Sequence, residues 1–553
     1  MPSIIHSPRS VQSLQSIVDQ TPYSVIVKAA GLFCRKFPEL SFLHFPTFIT
    51  APRKQELQIA AMLTLCQRFM PSSELMFTEE EYANYTQNCL SRVPKDPPSI
   101  STVHALLTMS MYEWGGGNGY GAWMYSGMAN RMMQCLIVFM TDHVHTETDR
   151  QIQNRTFWGC FIMDRLVSCG RSESATLSLD KISTHLPSGD LDFAFGSSPL
   201  SRYTFRDVRC NISLSRSLGV IDTYYCVLIR GFDIWAQTHK FIIEGGRKQL
   251  GMNNPENCPW VHGSRWRGIY DTLEDWRSSQ SDRLKYPSTP VAINVSLGQG
   301  ESFAYVNLVY YISLLFLNRE YIPFLPTLNS KPQGPVDPPV LPAVAPTNWW
   351  SDRARELFYC AEAITLILQE LIDLESPLLT PFSGLCTFSA ATMNLYVSAF
   401  PSMNLGRSPN ATAMAKLNII HLNEFKRLFK MGKRWWLIIE STQLLYQGAI
   451  ADRARFHGKT RCDFLALEAS MHDALGNSPI HHDSFTQGPS YPVQDKISGQ
   501  SALDHSAAIN LQELSANGIS QPSQPQEPLE MDHTYDPWIE LWPMCDEFDF
   551  NPT

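Results

Sequence analysis

The 553-residue sequence lacks the cysteine spacing that a structural metal site requires. Its 13 cysteines are scattered, the nearest two are Cys160 and Cys169, and no C-x-x-C occurs. Tetrahedral zinc needs short ligand pairs to close its geometry, so no metal ligands and no cofactor are expected. No signal peptide stands at Met1–Ser10, and reduced thiols in an intracellular compartment are the natural expectation. Positive charge is also scarce: 44 Lys and Arg against 53 Asp and Glu give a net charge of -9. Phosphate affinity comes largely from clustered Lys and Arg, so sequence-specific nucleic-acid binding by the chain alone is not expected. The longest apolar stretches, around Met132–Met140 and Tyr305–Leu317, fall short of the roughly 20 residues of a membrane helix, and no span is expected. Catalytic signatures are missing too. There is no Gly-x-Ser-x-Gly elbow, no His-Glu-x-x-His and no dinucleotide fingerprint. No two aspartates are adjacent, which removes the aspartate-rich metal motif of a helical terpenoid synthase. No catalytic residue is assigned, and the chain is expected not to be an enzyme.

What the sequence does have is apolar bulk. Hydrophobic residues make up 44% and aromatics 11%, ample for a large core, while the 18% charged lies below the usual quarter. Apolar residues recur at helical spacing and no alternating strand pattern of any length is present, so the fold class is all-α: a large multi-helix domain with a disordered C-terminal tail. Residues 1–22 read as a flexible lead-in, 23–475 as the helical domain with a Pro-rich loop at 323–347, 476–526 as a disordered Ser/Gln/Pro-rich linker, and 527–553 as an acidic-aromatic tail. Within the domain, helices are expected over 101–114, 218–236, 266–277, 301–321, 349–374, 384–400 and 411–446.

The chain is organised around 149–187. Phe157, Trp158, Phe161, Ile162, Leu166 and Val167 give one broad apolar face, with Asp149 near the helix start and Gly170 just past its end. Arg155, Asp164 and Arg165 stand inside that apolar run. A buried helix tolerates such charges only when they are paired or hydrogen-bonded, so their expected job is architectural.

These residues carry a resemblance. Arg155-Thr156-Phe157-Trp158, then Asp164-Arg165-Leu166 and Gly170-Arg171, ending in Asp180 and Leu186-Pro187, resemble the signature of the fungal-specific transcription factor domain. That region normally follows a six-cysteine binuclear zinc cluster in fungal regulators. Ala122–Tyr125 with Gly127, Ala129, Arg131 and Met132 is similar to the family's preceding helix, and Phe37–Phe48 to its opening segment. The likeness spans residues 25–450. It departs from the family at Asn154, where an arginine is usual, and at Ser172, where proline is. The structural signature is therefore Arg155, Trp158, Asp164, Arg165, Gly170 and Arg171. The resemblance implies a nuclear regulator of fungal metabolic or secondary-metabolite biosynthetic genes. It implies a transcriptional coactivator as partner, and homo- or heterodimers as assemblies open to it. Because the family-like region begins within about thirty residues of Met1 and no cysteine cluster precedes it, two expectations stand open: a DNA-binding regulator as a further partner, or a true start upstream with the sequence truncated. The alternative is an all-α small-molecule-binding protein or enzyme.

Four other features each admit a plainer reading. Gly115–Gly121 before a helix suggests a phosphate cradle, but no Gly-Lys-Ser/Thr accompanies it, and a helix-to-helix connection is expected. Asp142-His143-Val144-His145 offers half a metal site without a third ligand. Lys426, Arg427, Lys430, Lys433 and Arg434 beside Trp435 and Trp436 read first as a charged outer face and second as a phosphate-binding or import patch. From Glu527 to Phe550 there are eight acids and no Lys or Arg, interleaved with Trp538, Trp542, Phe548 and Phe550. Acids keep aromatics solvated yet free to dock, so these four are candidate activation residues; a tail folded back onto its own domain is the plain alternative.

Overall fold

Helix ends in this chain follow from local hydrogen-bond chemistry. The Ser99 hydroxyl accepts the N–H of Thr102 at 3.2 Å and so opens Ile100–Gly116, and Ser264 accepts that of Arg267 at 3.3 Å before Arg265–Ser279. Thr78 with Glu81, and Thr380 with Ser383, form reciprocal capping boxes, and Pro381 begins its helix where no N–H is needed. Gly117, at φ 85°, closes Ile100–Gly116 in the left-handed region, and the next helix starts at Gly119.

The structure, a computed structural model, describes residues 16–50, 55–139, 146–167, 176–177, 184–196, 203–210, 223–252, 254–323, 331–336 and 339–452. The long helices are α1 Tyr23–Lys36, α2 Glu56–Cys66, α3 Glu79–Leu90, α4 Ile100–Gly116, α5 Gly119–Phe139, α6 Glu147–Val167, α7 Tyr224–Ile243, α8 Arg265–Ser279, α9 Gly300–Arg319, α10 Trp349–Asp373, α11 Pro381–Ala399, α12 Ala411–Leu428 and α13 Met431–Ala451. Among the described residues there is no strand; His185 and Thr204 form an isolated antiparallel bridge. The all-α reading is thus what the fold shows.

The main packing runs in chain order, with α3 and α8 flanking it: α4 on α2 and α5, α5 on α6, α6 on α7, α7 on α9, α9 on α10, α10 on α11, and α11 on α12 and α13. The series then closes on itself, because α11 and α13 return to touch α4. Its centre is where α7, α9 and α11 meet: Phe382 lies 5.6 Å from Tyr305 in a stacked pair, 5.2 Å from Phe232 and 6.3 Å from Trp235.

Three expectations change. The lead-in contains a short helix, Ser16–Gln20, whose Val18 is buried. The single helix expected over 411–446 is two, α12 and α13, broken at Phe429, which takes extended angles. The break lets α13 turn back so that Trp435 stacks on Phe425 at 5.5 Å, with Gly432 seated against the ring and the Lys426 backbone. Finally, α9 is 20 residues long and apolar enough to cross a membrane by length and composition; 89% of its most apolar window is buried inside the protein. It is apolar all round because it is surrounded by protein.

Candidate functional site

Helix α6 is the strap that ties three separate parts of the chain together. Arg155 is fully buried. Its Nη1 donates to the carbonyl and the hydroxyl of Ser41, at 3.1 and 3.0 Å, and its Nη2 donates to the Ser188 carbonyl and to Asp190 Oδ1, both at 2.9 Å. The guanidinium lies 4.2 Å from the Phe193 ring centre and 5.1 Å from that of Tyr225, whose hydroxyl donates to the Arg155 carbonyl at 3.1 Å. One side chain therefore joins the opening segment, the loop ahead of Asp190 and α7. Neighbouring on the same helix, Asn154 Nδ2 and Trp158 Nε1 both donate to the His185 carbonyl at 2.8 Å. The Trp158 ring is fully buried and meets Phe157 and Phe161 edge-on.

Two turns further along, the buried Asp164 collects donors. Its Oδ1 accepts from Asn130 Nδ2 at 3.0 Å and from the N–H and hydroxyl of Thr176 at 3.1 and 2.9 Å. Its Oδ2 accepts from Arg165 Nη1 at 2.8 Å and from the Leu177 N–H at 3.1 Å. Arg165 also donates to the Leu177 carbonyl at 2.8 Å, lies 3.9 Å from Asp233 of α7 and covers the Phe161 ring at 4.3 Å. A buried charge is tolerable only with such saturation, and here the saturating groups include the N–H groups of Thr176 and Leu177 and the Leu177 carbonyl, backbone that the pair holds in place. The structure thus brings Arg155, Trp158, Asp164 and Arg165 into one strap. Gly170 and Arg171 lie outside the described residues.

A second polar layer left little local signal in the sequence. Lys36, at the end of α1, pairs with Glu301 at the start of α9 at 3.1 Å and donates to the Pro377 carbonyl at 2.7 Å, while Ser376 donates to the same Glu301 oxygen at 3.1 Å. Glu39 is wholly buried and accepts the Tyr305 hydroxyl at 2.9 Å; burial pushes its carboxyl up to about 8, so it stays protonated at neutral pH. The partners lie more than 260 residues apart in sequence. The one available hint was an acid inside the apolar run Phe37–Phe42.

The remaining candidates separate cleanly. Asn118 Oδ1 accepts the N–H of Gly121 at 2.9 Å and Asn118 Nδ2 donates to Glu113 at 2.9 Å. The amide end of α5 is therefore capped by its own chain, with a carboxylate beside it, which suits a connection and not a phosphate. Residues 142–145 lie outside the described residues, as do Trp538, Trp542, Phe548 and Phe550 with the whole tail. Among the described residues no cluster of three or more His, Cys, Asp or Glu could hold a metal ion. The basic run straddles the α12–α13 turn, with Arg427, Lys430 and Lys433 exposed.

Comparison with known proteins bears on the segment that holds the strap. Residues 32–253 match the family described as the fungal specific transcription factor domain, a range that includes the strap and all its described partners. The chain is 22% identical over 376 residues to an uncharacterised transcriptional regulatory protein of Schizosaccharomyces pombe, covering 63% of this chain and 52% of that protein. It is 22% identical over 438 residues to the Zn(2)-C6 fungal-type transcription factor FTF1a of Fusarium oxysporum f. sp. lycopersici, covering 74% and 38%. To another uncharacterised transcriptional regulatory protein of S. pombe it is 25% identical over 349 residues, covering 58% and 35%. The chain spans about half or less of the length of these relatives. No solved structure matches it.

Proposed function

We propose that this chain, whose residues 32–253 carry the fungal specific transcription factor domain, is a nuclear regulator of transcription and not an enzyme. Its targets in this reading are metabolic or secondary-metabolite biosynthetic genes, reached with a DNA-binding partner. The carrying observation is that the family signature of α6 serves here as a strap, with Arg155, Trp158, Asp164 and Arg165 spending their polar atoms on the chain itself. A catalytic charge must face a substrate; these face carbonyls and N–H groups of their own fold. The helical body is then a scaffold, and the output lies in 527–553, where eight of the 53 acidic residues and none of the 44 basic ones surround Trp538 and Trp542. Four residues apart, the two rings form an anchor pair for a coactivator groove.

Fusing 527–553 to an unrelated DNA-binding domain and measuring a reporter tests this. Activation is expected, with the Trp538→Ala and Trp542→Ala variants losing most of it. A silent reporter would remove the tail from the reading.

A further inference from the structure

We infer that the exposed face of α13, with the basic turn before it, is a docking surface for this chain's own segment 527–553. The inference rests on the reading of that segment as the output module and adds how it is held when idle. The surface has two halves. Lys430 and Lys433 are exposed and have no ion-pair partner among the described residues, Lys426 Nζ lies 3.3 Å above the Trp436 ring, and Arg427 is engaged only by Glu424 at 3.2 Å, both well exposed. Along the same helix, Leu437 and Leu444 are 62% and 51% exposed, at positions i+4 and i+11 from Lys433, so lysine and leucines share one stripe. Glu440, also exposed, is the acid between them.

Charge selects the occupant. The tail holds -8 of the chain's -9, so the rest of the chain is close to neutral and this segment is the strongest counter-ion available to the lysines. It also presents apolar rings where the leucines need cover. Order along the chain fits as well: α13 runs from lysines to leucines, whereas the tail runs from Trp538 and Trp542 to Asp546, Glu547 and Asp549. An antiparallel pairing sets rings on leucines and acids on lysines. Reach is no obstacle. The 74 residues between Asp452 and Glu527 extend at ~3.3 Å each, against ~1.5 Å per residue along a helix.

Site-specific photocrosslinking in the full chain tests it. Leu437→p-benzoylphenylalanine is irradiated at low salt and the products are mapped by mass spectrometry. The expected crosslinks fall within 527–553 of the same chain, and drop about tenfold when Lys430→Glu and Lys433→Glu are combined, as reversal of exposed ion pairs allows. Adding Asp546→Lys and Glu547→Lys should restore them. Both lysines are exposed, so an unchanged melting temperature confirms that folding is not at issue. Mixed-isotope products from labelled and unlabelled chains would assign the face to a second copy and overturn the proposal. So would crosslinks to another segment, no crosslinks, or a short DNA duplex captured in place of the tail. The reporter and the crosslink can fail independently: a silent reporter with intact crosslinks sinks the output role, and the converse sinks the docking site.

Discussion

Replacing Asp164 by alanine is the perturbation that most strains the strap. The carboxylate receives five hydrogen bonds, from Asn130, twice from Thr176, from Leu177 and from Arg165. Without it Arg165 loses its 2.8 Å carboxylate partner, and Asp233 stands farther off at 3.9 Å, a poor balance for a guanidinium whose side chain is 8% exposed. Leaving one member of a buried pair costs about 3 to 5 kcal/mol. Orphaned donors would add about 1 to 3 kcal/mol each, but Asn130 retains the Thr176 hydroxyl at 2.6 Å and Thr176 can turn to water. The expected loss therefore stays near 3 to 5 kcal/mol. Asp164→Asn should lose roughly 2 kcal/mol, since its amide would still face two donors. Urea unfolding of the full chain, read as a midpoint shift at unchanged slope, measures both. Limited proteolysis should also cut earlier near 176–190 in the alanine variant. A loss below about 1 kcal/mol for Asp164→Ala would refute the idea that the pair holds that loop.

Two further predictions concern the core. His104, His239 and His421 are buried, and burial holds them down to about 3, 3 and 4, so the folded chain refuses protons that the unfolded chain takes up below ~6.5. Their stability is present above ~6.5 and lost as pH falls, at up to ~1.4 kcal/mol per pH unit for each histidine. Glu39, raised to about 8, works the other way and costs stability as pH rises from ~4.5 towards that value. The three histidines outweigh the one carboxyl on the acid side, so the urea midpoint should peak near pH 6.5; a profile flat from pH 5 to 8 would contradict it. In α11, a Cβ at Gly384 would stand 2.5 Å from the Phe425 ring. Gly384→Ala should therefore cost about 1 to 3 kcal/mol by overpacking, and an unchanged midpoint would mean that α12 can move away freely.

The fold class was legible because helices bury a face at a period the sequence displays. Tyr305 to Leu317 and Phe157 to Val167 announce themselves, and their observed helices, Gly300–Arg319 and Glu147–Val167, end within a few residues of the pattern. The α12–α13 break was hidden because nothing in Phe429 itself forbids a helix; its ring is drawn out by distant packing, with Arg68 at 4.4 Å, Phe69 at 6.4 Å and the backbone of Gly115 close against it. The strap was half legible. A charge inside an apolar run says that a partner exists, and Arg155 could be flagged on that ground. Ser41, Ser188 and the His185 carbonyl could not be named, since backbone carbonyls leave no mark in a sequence. The Glu39–Tyr305 and Lys36–Glu301 contacts were illegible for the same reason at longer range.

The central claim, that this chain regulates transcription, is tested most directly by depleting it rapidly in the living cell and sequencing nascent transcripts while mapping the tagged full chain on chromatin. The account predicts that a defined set of genes changes promptly and that the chain occupies their promoters. Unchanged transcripts with no promoter occupancy, in a cell that loses a metabolite the purified chain can make or bind, would contradict it.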